Sequence, residues 1–217
     1  FYEGRKKDIP EPHPLPADYS GEWLEGLGTQ SGKFEFIPNS LKKIDDPDRP
    51  ALNRYIPSWE GTHTEELLSR YPLQLMSAHS RYSFHSMGDG KGTSLNDIDD
   101  HRLLVDGHYY WRARISVEDA RSRDIKPNDL IRIYNDRGSV VCAALISSRV
   151  RPGIVHTYES SAVYKPVGKP GASTDIGGSV NILTNSRSQS RGSSSMGPNA
   201  TLIEMEKWNP AMAEAAE

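Results

Sequence analysis

Between Tyr71 and Glu206 the chain is cut into six short β-rich runs, and this constrains its fold more than any other feature. The runs cover residues 73–77, 108–115, 129–134, 140–146, 154–158 and 200–206. Each is rich in Val, Ile, Leu or Tyr and is bounded by Gly, Pro, Asn or Asp, which interrupt strand geometry. Arg132, Asn135 and Arg137 break into the runs, as expected of barrel strands with one wet face. Asn135-Asp136-Arg137-Gly138 reads as a hairpin turn, with Asn and Asp tolerating turn conformations and Gly supplying a positive φ. One helix is predicted to start after Ser116, which can cap it. Glu118 and Asp119 favour its N-terminal end, and Lys126-Pro127 lies beyond it. A second helix is expected over 95–104. Residues 185–199, rich in Ser, Arg and Gly, read as a long loop. Many short strands with one or two helices fit a closed β-barrel better than a βαβ layout.

Proline sets the opening stretch apart. Eight of the 15 prolines (Pro10, Pro12, Pro14, Pro16, Pro38, Pro47, Pro50 and Pro57) precede residue 58. Each restricts its own φ and the residue before it, so an extended, irregular arm is expected. Tyr19, Trp23, Phe34, Phe36, Ile37, Tyr55, Ile56 and Trp59 run through this arm and need a surface to bury against, either the barrel or an upstream domain. The expected division is an arm over 1–65, a barrel over 66–210 and a frayed tail over 211–217. The chain starts at Phe1 rather than Met, which suggests a piece of something longer.

Composition excludes several classes. No apolar run approaches the ~20 residues of a membrane-spanning helix. With 26 basic against 29 acidic residues there is no basic field, so nucleic acid is not expected as a partner. Cys142 is the single cysteine, so no intrachain disulfide, iron–sulfur cluster or Cys-rich zinc site is possible within this chain. It sits in an apolar run and reads as an inert core thiol.

The densest polar constellation is His79-Ser80-Arg81-Tyr82-Ser83-Phe84-His85-Ser86, directly after the first β run. Two imidazoles, a guanidinium and three serine hydroxyls at a strand end suit a ligand rich in phosphate or heterocycle. A strand end with satisfied polar side chains is the other reading. His79 and His85 lie six apart with no third ligand near them in sequence, so no metal ligand is assigned. A second constellation, Gly177-Gly178-Ser179-Val180-Asn181-Ile182-Leu183-Thr184, offers a tight bend and an amide, Asn181, able to contact two edges of a base or pterin. Taken by itself it also reads as a plain Gly-Gly bend. Thr29-Gln30-Ser31-Gly32-Lys33-Phe34-Glu35 lacks the spaced first Gly and the strand–loop–helix setting of a nucleotide-binding loop. His156, Tyr158 and Glu159 could line a pocket mouth, or lie on a half-exposed strand.

Together these segments resemble the C-terminal part of the large subunit of molybdenum and tungsten enzymes of the dimethyl-sulfoxide-reductase family. Thr29-x-Ser31-Gly32-Lys33-x-Glu35 looks like the family's arm motif. His79-x-Arg81 followed by His85-Ser86, with Ser77 ahead of it, is similar to its S-x-H-P-x-x-R-x-H-S strand end; Ser80 replaces the Pro, and Arg81 lies farther ahead of His85 than the motif's Arg does. Residues 115–120 and 125–130 match its I-N-P-x-D-A and G-I-x-x-G-D segments, with Asn128 where Gly is usual. Asn135-Asp136-Arg137-Gly138, Val150-Arg151-Pro152-Gly153 and Asn181-Ile182-Leu183-Thr184 follow in the family's order.

The resemblance implies a mainly β fold, a six-stranded double-psi barrel preceded by the Pro-rich arm, that grips bis-molybdopterin guanine dinucleotide carrying Mo or W. His79, Arg81, His85, Ser86 and Asn181 carry over as cofactor-contacting positions. No catalytic residue is assigned to this chain, and Tyr158 and Glu159 are candidates for a supporting role. Within the family the chain looks most like the branch of pyrogallol–phloroglucinol transhydroxylase and catechol-dehydroxylating enzymes, on features such as Met87-Gly88-Asp89-Gly90, Gly107-His108-Tyr109-Tyr110-Trp111 and Asp175-x-Gly177-Gly178. That implies a polyhydroxylated aromatic substrate, the remainder of its own large subunit, an iron–sulfur electron-transfer subunit, and a cytoplasmic setting. The alternative is a stand-alone barrel, or a separately encoded cofactor-binding subunit without an active site.

Overall fold

The computed structural model describes residues 27–47, 50–87, 93–159, 161–190, 193–197 and 199–209. Expectations for 1–26 and for the tail over 211–217 lie outside them. Two compact units divide between Tyr55 and Ile56, with Ser190 in the first. In the first unit, Gly32 (φ +64°) closes a turn by donating its N–H to Thr29 O at 3.1 Å, and Glu35 Oε1 accepts from Ser31 N at 2.9 Å. This is a turn and not a nucleotide loop. Helix α1, Asn39–Ile44, follows Pro38, so the stretch is less irregular than its prolines predict.

The second unit holds helices α2 (Glu65–Arg70) and α3 (Val117–Ser122). The strands are β1 Leu73–Ala78, β2 Arg102–Val105, β3 His108–Ile115, β4 Leu130–Asn135, β5 Gly138–Ile146 and β6 Ile154–Tyr158. The further strands of the chain are β7 Pro166–Val167, β8 Thr174–Asp175, β9 Ser188–Ser190, whose last residue belongs to the first unit, β10 Ser193–Met196 and β11 Leu202–Lys207. Six of them close on themselves in the order β3-β6-β1-β11-β4-β5, with β5 pairing back to β3. The pairs β1–β6 and β3–β5 are parallel and the other four are antiparallel. This is the expected six-stranded barrel, and all six predicted β runs supply it.

Alternation explains the core. Along β5, Val140, Cys142 and Ala144 point into the barrel with Leu73, Leu75, Ile115, Ile131, Ile133, Val155, Ile203 and Met205. Val141 and Ala143 face the other way, against Tyr110 and a second apolar cluster. Cys142 is fully buried, and burial pushes its thiol up to about 12, so it is the inert thiol expected.

The predicted α3 forms. Ser116 Oγ accepts from Asp119 N at 3.0 Å and donates to Asp119 Oδ2 at 2.6 Å. The same carboxylate accepts from Gly153 N at 2.8 Å, which ties the helix start to the turn before β6. Asn128 has φ +70°, which explains why Gly is usual there and why Asn is tolerated.

Three local expectations are corrected. Residues 95–104 form no helix: a 3-10 turn at Ser94–Asp97 leads into β2, which pairs with β3 because Leu103 and Val105 cover the second apolar cluster. The loop over 185–199 contains a two-stranded hairpin, β9–β10. The hairpin at 135–138 forms, but Gly138 is not in the left-handed region; it is paired with Asn135, with Ile182 3.6 Å from where a Cβ would sit.

Candidate cofactor-binding site

The site begins where β1 runs out. β1 pairs with β6 up to Ala78 opposite Tyr158, so the residue that follows each strand, His79 and Glu159, emerges at the same barrel end. His79 Nδ1 donates to Glu159 Oε1 at 2.7 Å, and His85 Nδ1 lies 3.4 Å from the same oxygen. The two imidazoles meet edge to face with centroids 4.8 Å apart. The segment ends in a tight turn: Met87 N donates to Phe84 O at 2.9 Å, and His85 takes φ +49°. Glu159 therefore supplies the third metal-capable side chain that the sequence around His79 and His85 lacks. Eighty residues of separation hid it.

Asn181 arrives by a different route. It lies on a 3-10 turn, Val180–Leu183, that the β4–β5 hairpin holds in place. Leu183 O accepts from Asn135 Nδ2 at 2.9 Å and from Arg137 Nε at 2.6 Å. Arg137 is itself forked onto Glu60, at 2.6 and 3.0 Å, and Glu60 Oε2 accepts from Leu202 N at 2.9 Å. The bend before Asn181 requires both glycines. A Cβ on Gly177 would lie 2.2 Å from Val163 O. Gly178 has φ +86°, and a Cβ there would lie 2.1 Å from Trp111 Cδ1. Asp175, almost fully buried, accepts from the N–H groups of Lys165, Gly177 and Ser179 at 2.7, 2.9 and 2.6 Å and so shapes the loop.

These routes converge on a cavity of about 650 Å³ lined by Ser77, His79, Glu159, Asn181, Asn185 and Asn199, among others. Asn199 Oδ1 accepts from Ser77 N at 3.1 Å, and Asn185 Nδ2 donates to Ala200 O at 3.0 Å. Ser77 Oγ is buried in the wall with no hydrogen-bond partner among the described residues. A buried hydroxyl is rarely left unpaired, so this one marks a place for a polar ligand group.

Arg81 points elsewhere. It lines a second cavity, of about 460 Å³, with Asp100, Arg114, Arg149, His156 and Tyr158. Ser86 is exposed and lines neither cavity. The structure thus gathers His79, His85 and Asn181 around one cavity or its rim, sends Arg81 to another, and leaves Ser86 outside both. The strand reading of residues 156–159 is incomplete: Tyr158 is buried in the core cluster and Glu159 anchors the histidines.

A closed six-stranded barrel with polar cavities at its strand ends defines a cofactor-binding domain, and the chain belongs to the molydopterin dinucleotide binding domain family, whose pattern matches residues 73–200. It is 46% identical over 214 residues to the pyrogallol hydroxytransferase large subunit of Pelobacter acidigallici, covering 96% of this chain and 24% of that protein. It is 30% identical over 188 residues to trimethylamine-N-oxide reductase 1 of Escherichia coli strain K12, covering 86% of this chain and 21% of that one. Acetylene hydratase from Pelobacter acetylenicus shares the fold, with a TM-score of 0.63 at 18% identity over 95% of this chain and 28% of that chain. The chain therefore spans roughly a quarter of the length of these relatives.

Proposed function

We propose that this chain is the cofactor-holding part of a molybdenum or tungsten enzyme of the dimethyl-sulfoxide-reductase family that acts on a polyhydroxylated aromatic such as pyrogallol. The observation that carries the reading is the cavity at the end of β1, inside the matched domain, with a buried, unpaired Ser77 hydroxyl among amide and imidazole side chains. The identity to the pyrogallol hydroxytransferase large subunit supports the substrate class.

These residues fit a bis-molybdopterin guanine dinucleotide. Ser77, His79 and Asn181 would hold it by hydrogen bonds, with His85 behind His79 and Arg81 supplying positive charge from the neighbouring cavity. With Nδ1 of His79 committed to Glu159, Nε2 is the nitrogen the ring has left for a ligand. Asn181 presents both a donor and an acceptor, which suits a pterin or guanine edge. Oxygen exchange at a pterin-held metal is the chemistry that such a cofactor supplies; the protein binds and orients it. The acid–base groups and the metal's protein ligand would come from the remainder of the large subunit, and electrons from an iron–sulfur partner.

Arg81→Ala in the cofactor-loaded protein should reduce molybdopterin content and activity with the circular dichroism spectrum unchanged. Asn181→Ala should act in the same direction more weakly, losing one amide contact of about 1–2 kcal/mol. Full molybdenum and pterin content in Arg81→Ala would sink the assignment.

A further inference from the structure

A single ring and a single oxygen make a hydrogen bond, yet two imidazoles turn onto one oxygen of Glu159. His79 Nδ1 is 2.7 Å from Glu159 Oε1, and His85 Nδ1 is 3.4 Å from it. One ligand atom from each of the three residues lies within 4.8 Å of the other two. His85 stands there with φ +49°, a left-handed backbone that non-glycine residues seldom adopt. The three side chains meet because β1 and β6 run parallel and stop together, with Ala78 opposite Tyr158.

Two imidazole nitrogens and one carboxylate oxygen, with a position left for water, form the ligand set of an open zinc site. Tetrahedral bonds of about 2.0–2.2 Å place such ligand atoms about 3.4 Å apart. The separation of His85 from Glu159 already has that value. The contact of His79 with Glu159 has to open slightly, and its ring has the freedom to do so. The side chains of His79 and His85 are 75% and 52% exposed, against 23% for Glu159, so the carboxylate is the fixed point and the rings adjust to it. Nitrogen ligands favour an ion such as Zn²⁺ over Mg²⁺ and Ca²⁺, which take oxygen.

We propose that His79, His85 and Glu159 bind a divalent transition cation of the Zn²⁺ type where β1 and β6 end. This ion is separate from a metal carried on a pterin. It joins the ends of two strands, and it decides which nitrogen of His79 carries the hydrogen. Without the ion, Nδ1 gives its hydrogen to Glu159 and Nε2 is an acceptor. With Nδ1 on the ion, the hydrogen of the neutral ring sits on Nε2, which becomes a donor. The ion site stands apart from the cofactor reading; only what Nε2 then meets rests on it.

The test is calorimetric titration of Zn²⁺, with Mg²⁺ for comparison, into the full-length protein purified from cells that make no molybdopterin. His85→Asn and Glu159→Ala are titrated in the same way, Asn being chosen because it tolerates the left-handed backbone at this position. Zn²⁺ binding that both variants weaken at least about tenfold, with the circular dichroism spectrum unchanged and Mg²⁺ binding far weaker, is the expected result. If Glu159→Ala does not fold, His85→Asn decides alone. Zn²⁺ binding that is absent, that a folded variant leaves at full strength, or that Mg²⁺ equals, overturns the proposal. Molybdopterin content of His79→Ala, made in cells that supply the cofactor, separates the two readings. Zinc binding as expected with that content unmoved would remove His79 from the cofactor reading and leave the ion site standing; reduced content with no zinc binding would do the reverse.

Discussion

At the scale of single residues, Glu159 organises the candidate site more than any residue the motifs single out. One carboxylate oxygen meets both His79 and His85, and its side chain is only 23% exposed. Glu159→Ala should free both rings and lower cofactor content about threefold to tenfold, while Glu159→Gln, which keeps an acceptor oxygen, should lose less. Molybdopterin released from the purified variants measures this. Gly178 acts at the bend that leads to Asn181. At φ +86°, with Trp111 Cδ1 2.1 Å from a would-be Cβ, Gly178→Ala combines backbone strain with a steric clash. A loss of about 3 kcal/mol or more is expected in urea denaturation.

Secondary-structure elements show where local signals sufficed. The Ser116 cap, the β4–β5 hairpin and the six barrel strands were legible because each carries its own pattern: a capping side chain, turn residues between strands, or period-two alternation. Ser116→Ala should cost about 1 kcal/mol by removing the acceptor for Asp119 N, read as a lower denaturation midpoint. The β2 segment misled because Leu95, Ile98 and Leu103 mimic helical spacing, while the pairing of residues 102–105 with Trp111 to His108 decides for strand. The β9–β10 hairpin escaped for a related reason: a Ser-rich stretch has too few apolar side chains to announce a strand.

For the whole molecule, the titration of buried histidines gives a testable pH dependence. His101 and His156 are both held below the ordinary histidine pKa, mainly by burial, with Arg114 adding to it and Asp100 opposing it. Below about pH 6.5 the unfolded chain takes up protons at these sites before the folded one does. Stability from this source is therefore present above pH 6.5 and is lost as pH falls toward the depressed folded values. The thermal midpoint should be lower at pH 5.5 than at pH 7.5, and His101→Gln with His156→Gln should flatten that slope.

Sequence alone determined the class of barrel, the strands that build it, the capped helix and the family, because these rest on local patterning and on motif order. It also brought His79, Arg81, His85 and Asn181 into view as polar residues beside strand ends. Only the tertiary structure decided how they are shared out. Strand pairing places Glu159 against His79 across eighty residues, and the hairpin at Asn135 and Arg137 carries Asn181 to the same cavity. Parallel pairing and barrel closure turn Arg81 toward Arg114 and His156 instead. Motif spacing cannot predict such meetings, because they are set by which strands lie side by side once the barrel closes.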